Sequence, residues 1–319
     1  MPGNQVIAGA GKKREPVKLT AVAPAPSIFM FISVIIPAYN EESRLPQTLV
    51  RVCEYFQRRS AQGEIIIVND GSRDRTAEAA REFARSAASP RVAVKVLENP
   101  GNRGKGYSVR HGMLAASGDW ALFSDADLSA PIEECDKLLA AAETAGADIA
   151  IGSRAVNRSL IGVHQSLFRE NAGRLFNALM RLATGLPFRD TQCGFKLFSQ
   201  RAARSIFARQ RLERFGFDVE VLYLARKLGF RAVEVPVRWS HSEGTKVSML
   251  GDSVDMFFDL WRVRRNDWAG LYDLTSPPAG DSERGMGDVG GQEPLDAPAE
   301  TAPFASPAGQ APLPRRREP

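Results

Sequence analysis

Histidine and cysteine are both scarce, with three residues of each among the 319 of this chain. So few histidines argue against a histidine-based metal site or acid–base relay. The cysteines, Cys53, Cys135 and Cys193, are too widely spaced for a metal-binding pattern, so we expect free thiols in a reducing compartment. Long apolar runs are also missing. The longest, residues 28–36 and interrupted by Ser33, is too short to cross a bilayer, and its flanks do not resemble a signal peptide.

Positive charge is in only mild excess: the formal net charge is +5 and the pI is about 9.2. This balance suits anionic partners such as nucleotides, phospholipids or phosphorylated substrates, and we expect no nucleic-acid partner. Hydrophobic residues make up 44% of the chain, which is ample for a large core.

The composition divides the chain into three parts. Residues 1–29 lack apolar periodicity and predict a disordered leader. Residues 274–319 predict a disordered tail rich in Pro, Gly and Ala, since residues 276–319 hold nine of the 20 prolines. Residues 30–273 fit one α/β domain that ends in an amphipathic helix.

Within residues 30–273, short β-branched runs alternate with helical stretches, which predicts a mostly parallel sheet covered by helices on both faces. The expected strands are residues 33–36, 64–68, 92–96, 120–123 and 148–151. The expected helices are residues 42–59, 74–87, 105–116, 131–144 and 169–183. In such sheets a ligand binds beyond the carboxyl ends of the strands.

Asp125 and Asp127 follow the apolar strand that begins at Trp120. Alternate residues of a strand point to the same side, so both carboxylates are expected to converge on one hard cation. Mg²⁺ and Mn²⁺ take oxygen ligands and often bind through one or two carboxylates plus phosphates. The pair predicts a metal–diphosphate site, the alternative being a solvated turn that caps the next helix.

Polar residues also follow the earlier strands. Asp70 lies between an apolar strand and a glycine, and an aspartate there can accept a base imide N–H, which favours uracil. Lys105 is flanked by two glycines and is either a diphosphate contact or a solvated lysine at a helix start. Asn40 and Ser72 are as well explained by helix capping as by ligand binding.

Several motifs taken together resemble the family 2 inverting glycosyltransferases of GT-A fold. The first half carries Pro37-Ala-Tyr-Asn-Glu41, Asp70-Gly-Ser72 and Asp125-Ala-Asp127. Residues 152–154, 189–196, 214–220 and 239–246 then resemble the dolichyl-phosphate β-glucosyltransferase group, and Asp190-Thr-Gln-Cys-Gly-Phe-Lys196 is the most specific segment. The resemblance covers roughly residues 31–272.

This resemblance implies an enzyme that transfers a hexose with inversion from a UDP-sugar, UDP-glucose above all, to a polyprenyl phosphate. It implies nucleotide-sugar contacts at Pro37, Tyr39, Glu41, Asp70, Lys105 and Asp125. Mg²⁺ or Mn²⁺ is expected at Asp125 and Asp127, and catalytic roles are expected for Asp127, Asp218 and Asp190. Candidates for the acceptor phosphate are Arg154, Arg169 and Lys246.

Three other functions remain open from the sequence. They are transfer of mannose to polyprenyl phosphate, transfer to a soluble or glycan acceptor, and nucleotide-sugar binding without catalysis. Retention of both Asp125 and Asp127 argues against the last.

Residues 250–265 suggest how a lipid acceptor would be reached. Leu250, Val254, Phe257, Phe258 and Trp261 follow helical spacing on one face, and Asp252, Asp255, Asp259 and Arg262 fall opposite. Such a helix lies either in a membrane interface or on the protein core. If the helix lies in a membrane interface, we expect a peripheral enzyme at the cytoplasmic face of a membrane.

Overall fold

The structure, a computed structural model, describes residues 30–59, 61–87, 91–157, 159, 161–163, 184–240 and 251–273. Side chains of residues 161–163 and 251–257 are not described. All these residues belong to one unit, Met1–Asp281. The expected leader, the tail and the helix at residues 169–183 lie outside the described residues.

The first half of the domain alternates strand and helix as predicted. Its strands are β1 (Ile32–Ala38), β2 (Gly63–Asn69), β3 (Val92–Glu98), β4 (Trp120–Ser124) and β5 (Ile149–Ser153). Its helices are α1 (Leu45–Arg59), α2 (Thr76–Ser86), α3 (Lys105–Ala115) and α4 (Cys135–Ala145), the last preceded by a 3-10 turn at Ile132–Glu134. Every residue of β2 is buried, which explains its unbroken apolar run.

The second half contains elements that the sequence pattern did not predict, apart from the last helix. They are β6 (Ile161–Val163), β7 (Phe195–Ser199), α5 (Gln200–Phe207), α6 (Phe217–Lys227), β8 (Ala232–Pro236), β9 (Trp239–Ser240) and α7 (Gly251–Trp268). Ser199 caps α5, because its side chain accepts a hydrogen bond from the Ala202 amide.

Seven strands form the central sheet in the order β3-β2-β1-β4-β7-β5-β8. All neighbours are parallel except β7, which runs antiparallel to both β4 and β5. The mostly parallel sheet is therefore confirmed. Because β7 is reversed, its first residue, Phe195, lies opposite Ser124, the last residue of β4. The chain thus enters β7 at the edge where the parallel strands end. A separate pair of strands, β6 and β9, is parallel.

Each face of the sheet is covered by apolar side chains. One cluster joins Val34 and Ile65 of the sheet to Leu49 of α1 and Leu138 of α4. The other joins Ile35 and Phe123 to Val109 of α3, and it also includes buried residues of α5, α6 and α7. The core leaves the carboxyl ends of β1, β2, β4 and β5 as the edge that carries polar loops.

Helix α7 packs on the core through the face opposite its exposed aromatic residues. Asp259, predicted to lie opposite the apolar face, is buried with Leu260 and Val263, while Phe258 and Trp261 are 56% and 57% exposed. Of the two interpretations left open by the sequence, packing of the aromatic face on the core is therefore not what the structure shows. Asp259 forms an ion pair with Arg262, at 2.9 Å, and packs closely against Gly216, whose added Cβ would lie 2.3 Å from Asp259 Oδ2.

Candidate active site

The loops that follow β1 and β2 are fastened to each other. The Asn40 amide donates to Ser72 Oγ at 2.9 Å, and the Asn40 side-chain carbonyl accepts from the Arg73 amide at 2.7 Å. Asn40 has a φ of 54°, a conformation that asparagine tolerates better than most residues. These two side chains therefore join neighbouring loops, which the helix-capping interpretation did not foresee.

Three predicted nucleotide-sugar contacts lie along β1 and just beyond it. Pro37 is in the strand opposite Val68, and Tyr39 and Glu41 follow its end. All three are half-buried. Glu41 binds Arg44 with both carboxylate oxygens, at 2.7 and 2.9 Å, which fixes its side chain at the start of α1.

Asp70 organises the loop that follows β3. One oxygen accepts from Asn99 Nδ2 at 2.7 Å and from the Arg103 amide at 3.0 Å, and the other accepts from the Gly104 amide at 2.8 Å. The side chain is 4% exposed. The structure thus adds a loop-positioning role to the predicted contact with a base.

Lys105 begins α3 and reaches into the site. Its ammonium lies 2.6 Å from Asp125 Oδ1 and 5.2 Å from the centroid of the Phe123 ring. Burial disfavours the charged form, but attraction to Asp125, Asp218 and Asp127 outweighs it and raises the lysine's pKa. Of the two interpretations offered by the sequence, the solvated lysine is not what the structure shows.

Asp125 and Asp127 do not lie in a strand. Strand β4 ends at Ser124, and residues 125–128 turn, with the Leu128 amide donating to Asp125 O at 3.2 Å. The argument from strand alternation is therefore wrong, because the turn rather than the pleat sets the direction of the two carboxylates. Both carboxylates still attract the same ammonium, that of Lys105, and both raise its pKa. Asp127 also accepts from the Ser129 amide at 2.9 Å.

Gly194 lies directly behind Asp125. A Cβ added at this glycine would lie 2.0 Å from Asp125 Oδ2, and the Asp125 amide donates to Gly194 O at 3.1 Å. Only glycine leaves the carboxylate in this position.

A buried ion pair lies beside these residues. Lys196 is fully buried in β7 and donates to Asp218, the second residue of α6, and to Cys193 O at 2.7 Å. Burial raises the pKa of Asp218, while Lys196 and Lys105 act in the opposite direction. Asp125, Lys105, Asp218 and Lys196 thus form one cluster of alternating charge.

Arg154 and Asp190 form a second pair. Arg154 Nε and Nη2 donate to the two Asp190 oxygens at 2.7 and 2.8 Å, and the Arg154 amide adds a third bond of 3.0 Å. Asp190 is 1% exposed, whereas the Arg154 side chain is 30% exposed. Burial alone would raise the Asp190 pKa, but Arg154 lowers it, so the carboxylate stays ionised and fixes the guanidinium plane.

The other two predicted acceptor contacts, Arg169 and Lys246, lie outside the described residues. The remaining predicted residues are distributed over neighbouring loops at one edge of the sheet. Their arrangement offers half-buried polar groups from β1, a carboxylate turn and two cations. This geometry suits an anionic ligand with a divalent cation.

Comparison with known proteins agrees with this arrangement. The model of the family described as "Glycosyl transferase family 2" matches residues 33–207, more than half of the chain. The chain belongs to glycosyl transferase family 2.

Among its relatives, this family 2 glycosyltransferase is 38% identical to the dolichyl-phosphate beta-glucosyltransferase of Drosophila melanogaster over 255 residues, which cover 77% of this chain and 78% of the relative. It is 34% identical to the Homo sapiens protein of the same name, over 76% of this chain and 78% of that one.

Solved structures share the fold of this glycosyltransferase at lower identity. Mannosyl-3-phosphoglycerate synthase from Rubrobacter xylanophilus aligns with a TM-score of 0.55 and 15% identity, covering 81% of this chain and 80% of that one. Glucosyl-3-phosphoglycerate synthase from Mycobacterium tuberculosis, solved with Mn²⁺, UDP-glucose and phosphoglyceric acid, aligns with a TM-score of 0.53 and 20% identity, covering 73% and 79%. The GT-A fold is thereby confirmed.

Carboxylates are the groups of this glycosyltransferase's site that could bind a divalent metal. Among the described residues no group of three or more His, Cys, Asp or Glu side chains could hold an ion. Asp125 and Asp127 supply two carboxylates, which suits Mg²⁺ or Mn²⁺ only when a substrate phosphate completes the coordination. The residues therefore fit a metal shared between protein and nucleotide.

Two site residues of this glycosyltransferase were missing from the predicted set. Lys196 reads in the sequence as part of a motif, but its burial against Asp218 follows from the reversed strand β7. Gly194 belongs to the same motif, and its role follows from the approach of Asp125. A lysine in the middle of an apolar segment, Phe195–Ser199, was the available signal.

Proposed function

We propose that this enzyme transfers glucose from UDP-glucose, with inversion, to a polyprenyl phosphate of the dolichyl type. The observation that carries the proposal is the identity of 33–38% to proteins named dolichyl-phosphate beta-glucosyltransferase, over at least three quarters of the chain. The site supports it, because donor-side and acceptor-side candidates lie at the same edge of the sheet.

A lipid phosphate is already an anion, so its attack on the sugar C1 requires no strong general base. The enzyme's tasks are alignment, charge neutralisation and stabilisation of the leaving diphosphate. Asp125 and Asp127 would hold Mg²⁺ or Mn²⁺, and the metal would neutralise charge on that diphosphate. Lys105 supplies a second positive charge on the same side.

The acceptor phosphate is assigned to Arg154, with Arg169 and Lys246 as further candidates. Within the guanidinium, Asp190 accepts from Nε and Nη2, so further N–H donors of fixed orientation remain for a phosphate. Asp218 lines the sugar pocket or orients the acceptor, and Lys196 holds it in place. In this proposal Asp190 acts through Arg154 rather than on the substrate.

We further propose that the enzyme acts at the cytoplasmic face of a membrane as a peripheral protein. Three observations support this: exposed aromatic residues on α7, exposed arginines beside them, and three free cysteines, which suit a reducing compartment. Among the described helices, none combines the length and the apolar character that a bilayer crossing demands.

The decisive experiment is transfer of radiolabelled sugar from UDP-glucose, GDP-mannose and other donors to a short polyprenyl phosphate, with soluble sugars and phosphates as competing acceptors. We expect organic-extractable label from UDP-glucose. Asp127→Asn should lower turnover by on the order of 10², the scale for one major electrostatic stabiliser. Preference for GDP-mannose would reassign the donor, and label only in soluble products would overturn the lipid acceptor.

A further inference from the structure

The ammonium of Lys105 is paired with the Asp125 carboxylate, which a divalent cation would need as a ligand. It lies 2.6 Å from Asp125 Oδ1, within the range of a charge-assisted hydrogen bond. The Lys105 side chain is 24% exposed and that of Asp125 is 33% exposed, so the pair lies in the mouth of the site. A metal ion approaching Asp125 meets a positive charge already in place.

The backbone of Lys105 is fixed by the glycines on both sides. A Cβ at Gly104 would lie 2.6 Å from Glu213 O, and one at Gly106 would lie 2.5 Å from Leu212 O. Gly104 also has a φ of 109°, which L side chains rarely adopt. The start of α3 is therefore packed against residues 212–213, and only the side chain of Lys105 can change its partner.

Asp125 is equally constrained. Gly194 lies immediately behind its carboxylate, where even a Cβ would be 2.0 Å from Oδ2. The carboxylate therefore has no room to retreat from the ammonium toward β7. The packing around both residues therefore holds the Lys105–Asp125 ion pair in place.

Without a bound diphosphate, the protein offers a metal ion few ligands. No set of three metal-ligating side chains exists in the described part of the chain, so the protein offers the two carboxylates of the turn. A cation arriving alone must displace an ammonium to gain them. A cation arriving with a diphosphate brings further oxygen ligands and gives the displaced ammonium another anionic partner.

We propose that Lys105 is a built-in counter-cation, which keeps divalent metal out of the site until a nucleoside diphosphate arrives and then exchanges Asp125 for the phosphate oxygens. The inference rests on the proposed function for the nature of the donor. No covalent bond changes: the Lys105 ammonium would leave Asp125 for the diphosphate oxygens, and Asp125 would then be available to hold the metal.

The test is Mn²⁺ binding to the full-length protein, followed through the electron paramagnetic resonance signal of free Mn²⁺, with and without UDP. Wild-type protein should bind Mn²⁺ weakly alone and far more tightly with UDP. Lys105→Met should bind Mn²⁺ alone on the order of tenfold more tightly, the scale of one competing charge-assisted hydrogen bond. The same variant should gain less from UDP.

Lys227→Met is the matched control. It removes the same charge from contacts with Asp267 and with Asp273, the latter 2.8 Å away, at the far end of α6. Lys227 is about 13 Å along that helix from Asp218. Its Mn²⁺ affinity should equal that of wild type. In the double variant Asp125→Asn/Lys105→Met, the gain should disappear.

Equal Mn²⁺ affinity of wild type and Lys105→Met in the absence of UDP would overturn the proposal. So would wild-type protein that binds Mn²⁺ as tightly alone as with UDP. Circular dichroism checks folding, and Lys105→Gln replaces the Met variant if that one unfolds. Because no sugar is transferred in this assay, a negative result leaves the glucosyl-transfer proposal standing, and failed transfer leaves the Mn²⁺ result interpretable.

Discussion

Buried charges at the catalytic edge occur as matched pairs. Lys196 is paired with Asp218, and Asp190 with Arg154. Removing ions from water is costly, so a pair of this kind stabilises the fold little beyond what an apolar pair would. Its value is orientation: each pair holds one side chain at the site by means of another that is fixed in the sheet or a loop.

The Lys196–Asp218 pair gives a stability prediction. Lys196→Met should lower the free energy of unfolding by about 3–5 kcal/mol, because it leaves the buried carboxylate without its partner. Adding Asp218→Asn should restore much of this loss, since the unpaired charge is then gone. Urea unfolding of both variants measures the effect. A double variant less stable than Lys196→Met would contradict this account of the pair.

At the scale of elements, a buried carboxyl group joins α6 to the segments that precede it and that follow α7. Glu220 of α6 accepts from Tyr272 OH at 2.5 Å and from the Leu212 amide at 2.8 Å, and it is fully buried. Burial raises its pKa to about 7. The first turn of α6 also carries Asp218, so this joint supports a site residue.

This joint predicts a pH dependence of stability. In the unfolded chain Glu220 ionises near its ordinary value of 4.5, whereas the folded protein keeps the proton to about 7. The folded state therefore binds more protons in this range, and its stability should fall as pH rises from about 4.5 to about 7, by at most roughly 3 kcal/mol.

Glu220→Gln is neutral at every pH and should lose that part of the dependence. Urea unfolding of wild type and variant at about pH 5 and about pH 8 compares the two slopes. Identical slopes would assign the dependence to other groups.

Helix α7 gives a second prediction at this scale. Phe258 and Trp261 are exposed, so changing both to Ser should preserve the circular dichroism spectrum while lowering flotation with anionic phospholipid vesicles several-fold. Leu260→Ser, in the buried face, is the contrasting control and should lower thermal stability instead. Unchanged flotation of the double variant would remove α7 from the membrane contact.

For the whole molecule, the sequence predicts the first half better than the second. Strands β1 to β5 are apolar runs separated by helices, a pattern that parallel buried strands produce. Strand β7 hides Lys196 within such a run, and α6 begins with the buried acids Asp218 and Glu220. Their partners are set by tertiary packing, which no local pattern encodes.

The same limit applies to the site. Asp70, Lys105, Asp125 and Asp127 are identifiable from their places after strands, yet the contacts among them depend on turns and on glycines packed against other loops. The sequence also left open which face of α7 packs on the core, because the buried face combines Leu260 and Val263 with the acid Asp259.

The composition of residues 276–319 leads to a whole-molecule prediction. From its content of Pro, Gly and Ala we expect this segment to supply no packed site, so deleting it should leave sugar transfer unchanged. Side-by-side transfer assays of the full and truncated chains measure this, with vesicle flotation as a second readout. A loss of transfer with intact folding would give the tail a function.

The reversed strand β7 has a consequence for how the chain is held at the reactive edge of the sheet. Strand β5 ends and β7 begins at the same edge of the sheet, so the intervening chain departs from and rejoins the scaffold on the reactive side. The Arg154–Asp190 ion pair joins the beginning and the end of that connecting segment. A contact between two side chains thus sets the spacing of the two chain segments at the reactive edge, in addition to the hydrogen bonds of the sheet.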